Sequence, residues 1–350
     1  MNHCEVGIAG GGIIGLSAAL DLAAAGLQVT VFEQGRAMAE SSWAAAGMLA
    51  VGDPENPPAL RPLAELSARL YPQFLADVER LSGEHVPIRT ARAIQGARQL
   101  PDGFRELHAA ELAALAPRLA AGSLRFFSLD EPSIDPRDLT RALPRAVRAT
   151  GVTLLEDTAV KAVTAQAEDV RIETDSDTWS AENMIHCSGA WAAELTGVPI
   201  APRKGQMVVV EDQGPERLNV VLRTPAVYLV PRGDGRIAIG ATVEEAGYDK
   251  QVHSETTARL LELAAALWPP VRTMCVVDAW AGLRPATADN LPVIDECGKG
   301  CWVAAGHFRN GILLAPATAR LLREMISGEA LSIDVEPFRC DRFAASSVQS

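Results

Sequence analysis

Positive charge is scarce in this 350-residue chain: 32 lysines and arginines stand against 44 aspartates and glutamates, a formal net charge of −12. That balance disfavours non-specific attachment to nucleic acid and to anionic membranes, both of which reward a cationic surface. A small anionic substrate is not excluded, because local arginines can overrule a distant net charge. Long apolar runs are missing too. The longest charge-free apolar stretch, Val6–Leu20, is broken by glycines and too short to span a bilayer. The N-terminus carries no basic segment, so no signal peptide and a cytoplasmic location are expected. The six cysteines are scattered, at positions 4, 187, 275, 297, 301 and 340. Cys297 and Cys301 flank a turn-like Gly-Lys-Gly, but no histidine or second cysteine pair sits beside them at a zinc spacing, so free thiols and no metal are expected. The chain also lacks a Ser/His/Asp or Cys/His order that would favour a hydrolase, and it has no internal repeat or low-complexity tract.

What is present begins at once. Cys4–Ala9 reads as a buried strand, Gly10-Gly11-Gly12-Ile13-Ile14-Gly15 follows, Leu16–Ala25 reads as an alanine-rich helix stopped by Gly26, and Leu27–Phe32 is a second strand ending in Glu33. This is a βαβ unit carrying G-x-G-x-x-G with an acid about 20 positions on. Gly10 permits the tight turn, Gly12 lets a pyrophosphate approach the backbone, and Gly15 lets the helix pack against the sheet. The free N–H groups and positive dipole end of the helix face the phosphates. Glu33 can accept from ribose hydroxyls and repels a 2′-phosphate, which argues against NADP. The motif alone does not separate FAD from NAD.

With 48% hydrophobic residues the chain has material for a sizeable core, and its length suits two ordinary domains or one large one. Ser41–Leu49 is uncharged and rich in small residues, as suits either close approach to a ligand or a packed helix start. Leu63–Leu81 has helical periodicity, a shorter helical piece lies around Ala109–Leu115, and Leu124–Ser128 looks like a strand. Asp135 and Pro136 open a helix that Gly151 stops. Val152–Leu155 reads as a parallel strand, Val160–Ala165, Val170–Thr174 and Thr178–Ala181 as a β-meander, and Met184–Cys187 as a separate buried strand leading into Ser188-Gly189. Gln206–Glu211, Val220–Leu222, Ala226–Pro231 and Arg236–Gly240 suggest a mixed or antiparallel sheet, followed by a helix over Ser254–Leu267. Cys301–Ala305 is one more strand and Ile312–Met325 the last long helix.

Two arginines have apolar or glycine neighbours, Arg284 in Trp280–Pro285 and Arg309 in Gly306–Gly311. A guanidinium so placed is either paired with an internal carboxylate, for which Asp278, Asp289 and Asp295 are near in sequence, or left to bind an anionic ligand. Tyr228, one of three tyrosines, is a core aromatic or a hydroxyl reaching a ligand carboxylate. His307 is a base or a backbone-capping donor.

Taken together, Gly10–Gly15 with Glu33, Ser41–Met48, Trp280–Asp289 and Gly306–Pro316 resemble the glycine oxidases of thiamine biosynthesis, within the D-amino-acid oxidase family of flavoproteins. The resemblance covers nearly the full chain. It implies an α/β fold of the p-hydroxybenzoate hydroxylase type, with a Rossmann-like FAD-binding domain and an inserted mixed or antiparallel-sheet substrate domain. The divisions expected are 1–83, 135–205 and 278–345 for the FAD-binding domain, and 84–134 and 206–277 for the substrate domain. FAD contacts are implied for Gly10, Gly12, Ile13, Ile14, Gly15, Glu33, Gln34, Ser41, Ser42, Ala46, Gly47, Met48, Val160 and Gly189. The run His307, Phe308, Arg309, Asn310, Gly311, Ile312 and Leu313 is implied at the pyrimidine end of the flavin. Arg284, Tyr228 and Arg309 are implied to bind and position the substrate carboxylate.

The implied reaction is oxidative deamination of glycine or a small D-amino acid, with sarcosine also open. Hydride passes from the α-carbon to flavin N5, and oxygen takes up the electrons as hydrogen peroxide. Related sarcosine oxidases tether their flavin through a cysteine near the region matching Trp280–Pro292; none occurs there, so non-covalent FAD is expected. Trp43 stands where the family usually has a small residue. Partners expected are the amino acid and oxygen, and a homo-oligomer, with a tetramer as one size. Two rivals stand beside this reading: a dehydrogenase passing electrons to another acceptor, and a non-catalytic dinucleotide-binding subunit.

Overall fold

A computed structural model describes residues 2–211 and 217–343. Met1, residues 212–216 and residues 344–350 lie outside it, and with them the last two residues of the expected 278–345 segment. The fold is mixed α/β, built on two large sheets.

In the eight-stranded sheet, the strands Cys301–Ala305, Thr178–His186, Asn2–Ala9, Val29–Phe32 and Thr153–Leu155 run side by side and parallel. Val293–Gly298 closes one edge antiparallel. One face is covered by four helices, Ile13–Ala24, Arg61–Ser82, Pro136–Ala149 and Gly311–Ile326, around a core of Ile8, Leu16, Val31, Leu63, Leu143 and Leu314. The second of these buries Leu63, Ser67, Tyr71, Phe74 and Val78, three to four residues apart and so on one face of a 3.6-residue helix, with Leu66 and Leu75 flanking them. Gly83, at φ 72°, ends it, its N–H donating to the Glu79 carbonyl at 2.8 Å. The third starts as expected: the Asp135 carboxylate accepts the Arg137 N–H at 3.0 Å and Pro136 fills the first position. The other face carries the hairpin Val160–Ala165 and Val170–Thr174, packed through Val170 and Ile172 on Cys4, Phe32 and Met184.

One expectation is corrected here. Thr178–Ala181 and Met184–Cys187 are not separate strands; Thr178–His186 is continuous. The polar pair Glu182-Asn183 reads as a turn, yet Asn183 keeps its place in the ladder with Oδ1 accepting from Trp302 Nε1 at 2.9 Å.

The seven-stranded sheet runs in the order Cys275–Ala286, Ala201–Glu211, Arg236–Gly240, Tyr228–Pro231, Val221–Arg223, Ala93–Ala97, Arg125–Leu129, and only the pair Val221–Arg223 with Ala93–Ala97 is parallel. Its residues alternate between two cores, as the two-residue strand period requires. Val208, Val210, Leu229, Ile237, Ile239 and Phe126 pack under the helix Ser254–Leu267. Met207, Val209, Val230, Ala238 and Phe127 face Ala46 and the first sheet. The twelve-residue strand Cys275–Ala286 has no counterpart in the sequence reading, which Gly282 and Pro285 obscure. It lies at the sheet edge, where a proline's missing N–H costs no ladder bond. The expected divisions at 205/206 and 277/278 fall inside this strand and its partner, not between elements. Among the described residues no helix is long and apolar enough to cross a membrane.

Candidate active site

A cavity of about 370 Å³ opens between the two sheets. The parallel strands of the first sheet end on it, at Ala9, Phe32, Cys187 and Ala305, which is where open parallel sheets bind ligands.

At this end the glycine turn has the shape its sequence demands. Gly10 has φ 109°, in the left-handed region, and a side chain there would strike the Cys187 carbonyl. A Cβ on Gly15 would lie 2.0 Å from the Gly10 carbonyl oxygen, so the helix can start only with glycine there. Gly12 precedes the helix without a side-chain cap, and the Ile13 N–H donates to Ser42 Oγ at 2.9 Å. The Glu33 carboxylate accepts the Gly11 N–H at 2.7 Å and the Gly35 N–H at 2.8 Å. Burial raises its pKa, and these two bonds oppose the rise. Each oxygen has accepted one hydrogen bond and keeps capacity for a second, so Glu33, which lines the cavity, both ties the turn and can still accept from a ribose. The Ser188 hydroxyl lines the same cavity and has no hydrogen-bond partner among the described residues.

The middle of the cavity is walled by Ser41, Ser42 and Ala44–Met48. Gly47, at φ 85°, comes so close to Ile134 that a Cβ would sit 2.1 Å from its carbonyl oxygen. Trp43 does not line the cavity. Its ring turns away and, with Trp280, holds the Arg137 guanidinium at 4.1 and 4.4 Å from the ring centres. The Trp280 N–H reaches back to the Ala44 carbonyl at 3.0 Å. The larger residue is thus absorbed on the far side of the segment. Gln34, Val160 and Gly189 also line the cavity.

The far end is built by the second sheet and the turn before the last helix. Arg284 projects from the edge strand over Gly205 on its neighbour, where a Cβ would fall 2.2 Å from Arg284 Nη1. Nη1 donates to the Thr242 carbonyl at 3.0 Å, and among the described residues no carboxylate lies within ion-pair distance of the guanidinium. The aspartates near it in sequence are engaged elsewhere: Asp278 with Arg137, Asp289 with Arg342, and Asp295 with the Cys340 N–H. Tyr228 also faces the cavity, its ring over Gly240 and its hydroxyl 3.7 Å from Met207 Sδ.

Arg309 differs from Arg284. Its Nη1 donates to Glu55 Oε2 at 2.6 Å and its Nη2 lies 3.8 Å from Asp53 Oδ2. Those carboxylates belong to the proline-rich loop, which Asn310 also grips through Asn56 Oδ1 at 2.9 Å. His307 is buried with Nε2 3.0 Å from Thr318 Oγ1, and burial lowers its pKa to about 3. It is a neutral ring at working pH, neither a base nor a backbone cap through its side chain. Phe308, Asn310, Gly311 and Ile312 line the cavity where the last helix begins, with no acidic residue in its first turn. Gly15 and Leu313 do not line it. Gly15 packs helix on strand, and Leu313 is fully buried, its carbonyl accepting from Ser67 Oγ at 2.6 Å.

Several residues around the site escaped the sequence reading. Arg232 is 4% exposed; its Nη1 donates to the Ala46 carbonyl at 2.9 Å and lies 3.5 Å from Asp135 Oδ1, so it braces the cavity wall from the second sheet. Its setting, Pro-Arg-Gly-Asp-Gly, reads as an exposed turn. Arg223 lies between Glu131 at 3.0 Å and Asp53 at 3.5 Å, behind the Arg309 loop. Gly205 and Gly240 are isolated strand glycines, a pattern that signals close approach.

The cradle fits an extended dinucleotide. The glycine turn, a helix start with room for phosphate, Glu33 and the orphaned Ser188 hydroxyl lie at one end of a cavity that continues past small residues to Arg284. The "FAD dependent oxidoreductase" family model matches residues 5–325. A glycine oxidase of Geobacillus kaustophilus is 32% identical over 364 aligned positions, covering 97% of each chain. A glycine oxidase of Pseudomonas aeruginosa is 33% identical, covering 95% of this chain and 98% of that one. The crystal structure of glycine oxidase from Geobacillus kaustophilus superposes with a TM-score of 0.93 at 30% identity, covering 98% of this chain and 99% of the other.

Proposed function

The chain belongs to the FAD dependent oxidoreductase family, and from that footing we propose that it oxidises glycine or a small D-amino acid to the oxo acid, with release of ammonia and hydrogen peroxide. The proposal rests on one observation above the rest: the Arg284 guanidinium faces the cavity with no carboxylate of its own among the described residues.

FAD would be held by the glycine turn and Glu33 at one end, by the Ser41–Met48 segment in the middle, and by the turn His307–Ile312 at the other. When bound, it supplies the two-electron acceptor for the α C–H bond. The protein's own task is placement. Arg284 receives the substrate carboxylate through paired N–H donors, and the Tyr228 hydroxyl is placed to add a third. With the carboxylate held, the α-carbon is restricted to a small region of the cavity, and positioning of this kind can supply much of a barrier reduction.

The substrate amine must be neutral before it reacts, and the imidazole and the carboxylate lining this end of the cavity are already engaged. His307 is a neutral ring already bonded to Thr318, and Asp53 lies between Arg223 and Arg309. The proton therefore leaves to solvent, and kcat/KM should rise with pH as the substrate's own ammonium titrates. Because Arg309 is paired with Glu55 and Asp53, Arg284 is the arginine of this end of the cavity left without a carboxylate among the described residues, which suits an amine with a single carboxylate.

An oxygen-uptake screen of the flavin-loaded protein over glycine, sarcosine, D-alanine, D-proline and their L-forms tests the proposal. Peroxide formed from glycine or a small D-amino acid supports it. No oxygen uptake with any of them removes it.

A further inference from the structure

A cluster outside the cavity carries a separate inference. Asp295 and Cys297 lie two residues apart on Val293–Gly298, the edge strand of the first sheet, Cys297 at the bulge where the pairing register shifts between Glu296 and Gly298. Cys340 comes from the segment after the turn Glu336–Phe338. The two sulfurs and a carboxylate oxygen of Asp295 all lie within 4.8 Å of one another. Tetrahedral zinc with bonds near 2.3 Å separates two thiolates by roughly 3.8 Å, so the set needs little adjustment to close on an ion.

The arrangement is pre-formed. Asp295 Oδ2 accepts the Cys340 N–H at 2.9 Å, which fixes the carboxylate relative to the second thiol. Cys340 and Phe343 pack against Val198, Val293 and Val303, and Arg342 anchors the same segment to Asp289 at 2.8 Å. The nearby charges are Asp341, itself paired with Arg339 at 2.9 Å, and Glu336. None of the three ligands lines the cavity. Sequence spacing could not reveal the set, because the obvious neighbour, Cys301, packs instead with Cys4 and Val170.

We propose that Asp295, Cys297 and Cys340 form a site for one thiophilic divalent cation of the zinc and cadmium type, which clips the C-terminal segment to the edge of the first sheet. Two thiols and a carboxylate are soft-to-borderline donors suited to these ions, with solvent completing the tetrahedron. On binding, two S–H bonds give up their protons to buffer, two metal–sulfur bonds form, and no electrons move.

The test uses the full-length, flavin-loaded protein, reduced, desalted and titrated with Cd²⁺ alone. One equivalent should produce an ultraviolet thiolate-to-cadmium charge-transfer band and release about two protons, with the visible flavin band unchanged. Cys297→Ser and Cys340→Ser should each abolish the band and weaken binding on the order of 100-fold or more. In the wild-type chain, Cd²⁺ should block alkylation of Cys297 and Cys340 while leaving the exposed Cys275 reactive, a measurement that needs no variant. Absence of the band in the reduced protein, a band that survives either substitution, or alkylation of Cys297 and Cys340 unaffected by the ion would each overturn the site.

Discussion

Removing the Arg284 guanidinium is the sharpest perturbation of the proposed chemistry. In Arg284→Ala the substrate carboxylate loses a guanidinium that has no carboxylate partner among the described residues, while the glycine turn at the opposite end of the cavity is untouched. Truncating one side of a hydrogen-bonded charge pair costs about 2–5 kcal/mol. At 1.36 kcal/mol per decade that is roughly a 30- to 5,000-fold loss in kcat/KM for glycine. Arg284→Lys keeps a charge but not the planar fork, and should fall between the two. The contact with Gly205 supplies an independent route to the same end. Gly205→Ala would place a methyl 2.2 Å from Arg284 Nη1, displacing the guanidinium without removing charge, and should reproduce most of the arginine defect. Two assays separate an anchor from a structural role. Titration with acetate, followed by the flavin absorbance change, should show carboxylate binding lost in both variants. A simple amine without a carboxylate should react at the same slow rate in all three proteins. Wild-type KM and kcat for glycine in Arg284→Ala, with the flavin retained, would refute the reasoning.

Three further outcomes follow from other parts of the site. Arg232→Met removes the brace on the Ala46 carbonyl, a hydrogen bond from a charged donor worth roughly 1.5–3 kcal/mol, so FAD affinity measured by flavin fluorescence should fall about 10- to 150-fold while the glycine KM of the reloaded enzyme stays near wild type. Glu55→Gln leaves Arg309 with Asp53 alone; the pair is part-exposed and so worth about 1 kcal/mol or less, and the preference for iminodiacetate over glycine should rise roughly 2- to 5-fold in competing kcat/KM measurements. His307 and His186 are both buried neutral, with pKa values lowered by burial to about 3 and about 4. The unfolded chain binds their protons below its ordinary histidine pKa near 6.5 while the folded chain does not. Their contribution is therefore complete above about pH 6.5 and is lost as pH falls toward those folded values, at about 1.4 kcal/mol per pH unit for each histidine. Urea unfolding between pH 7 and 5 should show this slope, and His307→Gln should remove about half of it.

How much of this is legible in the sequence depends on where the determining contacts lie. The glycine turn, Glu33 and the capped helix at Asp135 are local, and the chain displays them within a few positions. The helices Ala109–Leu115 and Ser254–Leu267 end where their periodicity ends, because each presents a single apolar stripe or a clear cap. The strand Cys275–Ala286 is different: its identity comes from pairing along its length with Ala201–Glu211, and its glycine and proline argue locally against a strand. Arg232 and Arg223 are invisible for a related reason. Each stands at the end of a short strand that the sequence does show, where a charged residue reads as turn or surface, and only the approach of Asp135, Glu131 and Asp53 from distant segments accounts for their burial.

The two arginines carry that argument to function. By residue type and neighbours Arg284 and Arg309 are alike, and sequence leaves each open to an internal partner or a ligand. What separates them is a loop more than 200 positions away: Glu55 and Asp53 come to Arg309, and among the described residues no carboxylate comes to Arg284. Gly205 beneath Arg284 explains how an unpaired guanidinium is tolerated, since its packing is onto bare backbone and its one internal hydrogen bond, to Thr242, leaves the rest of the fork free. A cation held by packing and not by charge is the kind of group that gains most from an incoming carboxylate, because no internal pair must break first. The neutralised arginine beside it then acts in the opposite sense. On the proposed function it would fill the cavity end with a satisfied pair and leave a second acidic group on a substrate without a partner, so that selectivity for small monocarboxylates would come from where two loop acids fall rather than from the arginines themselves.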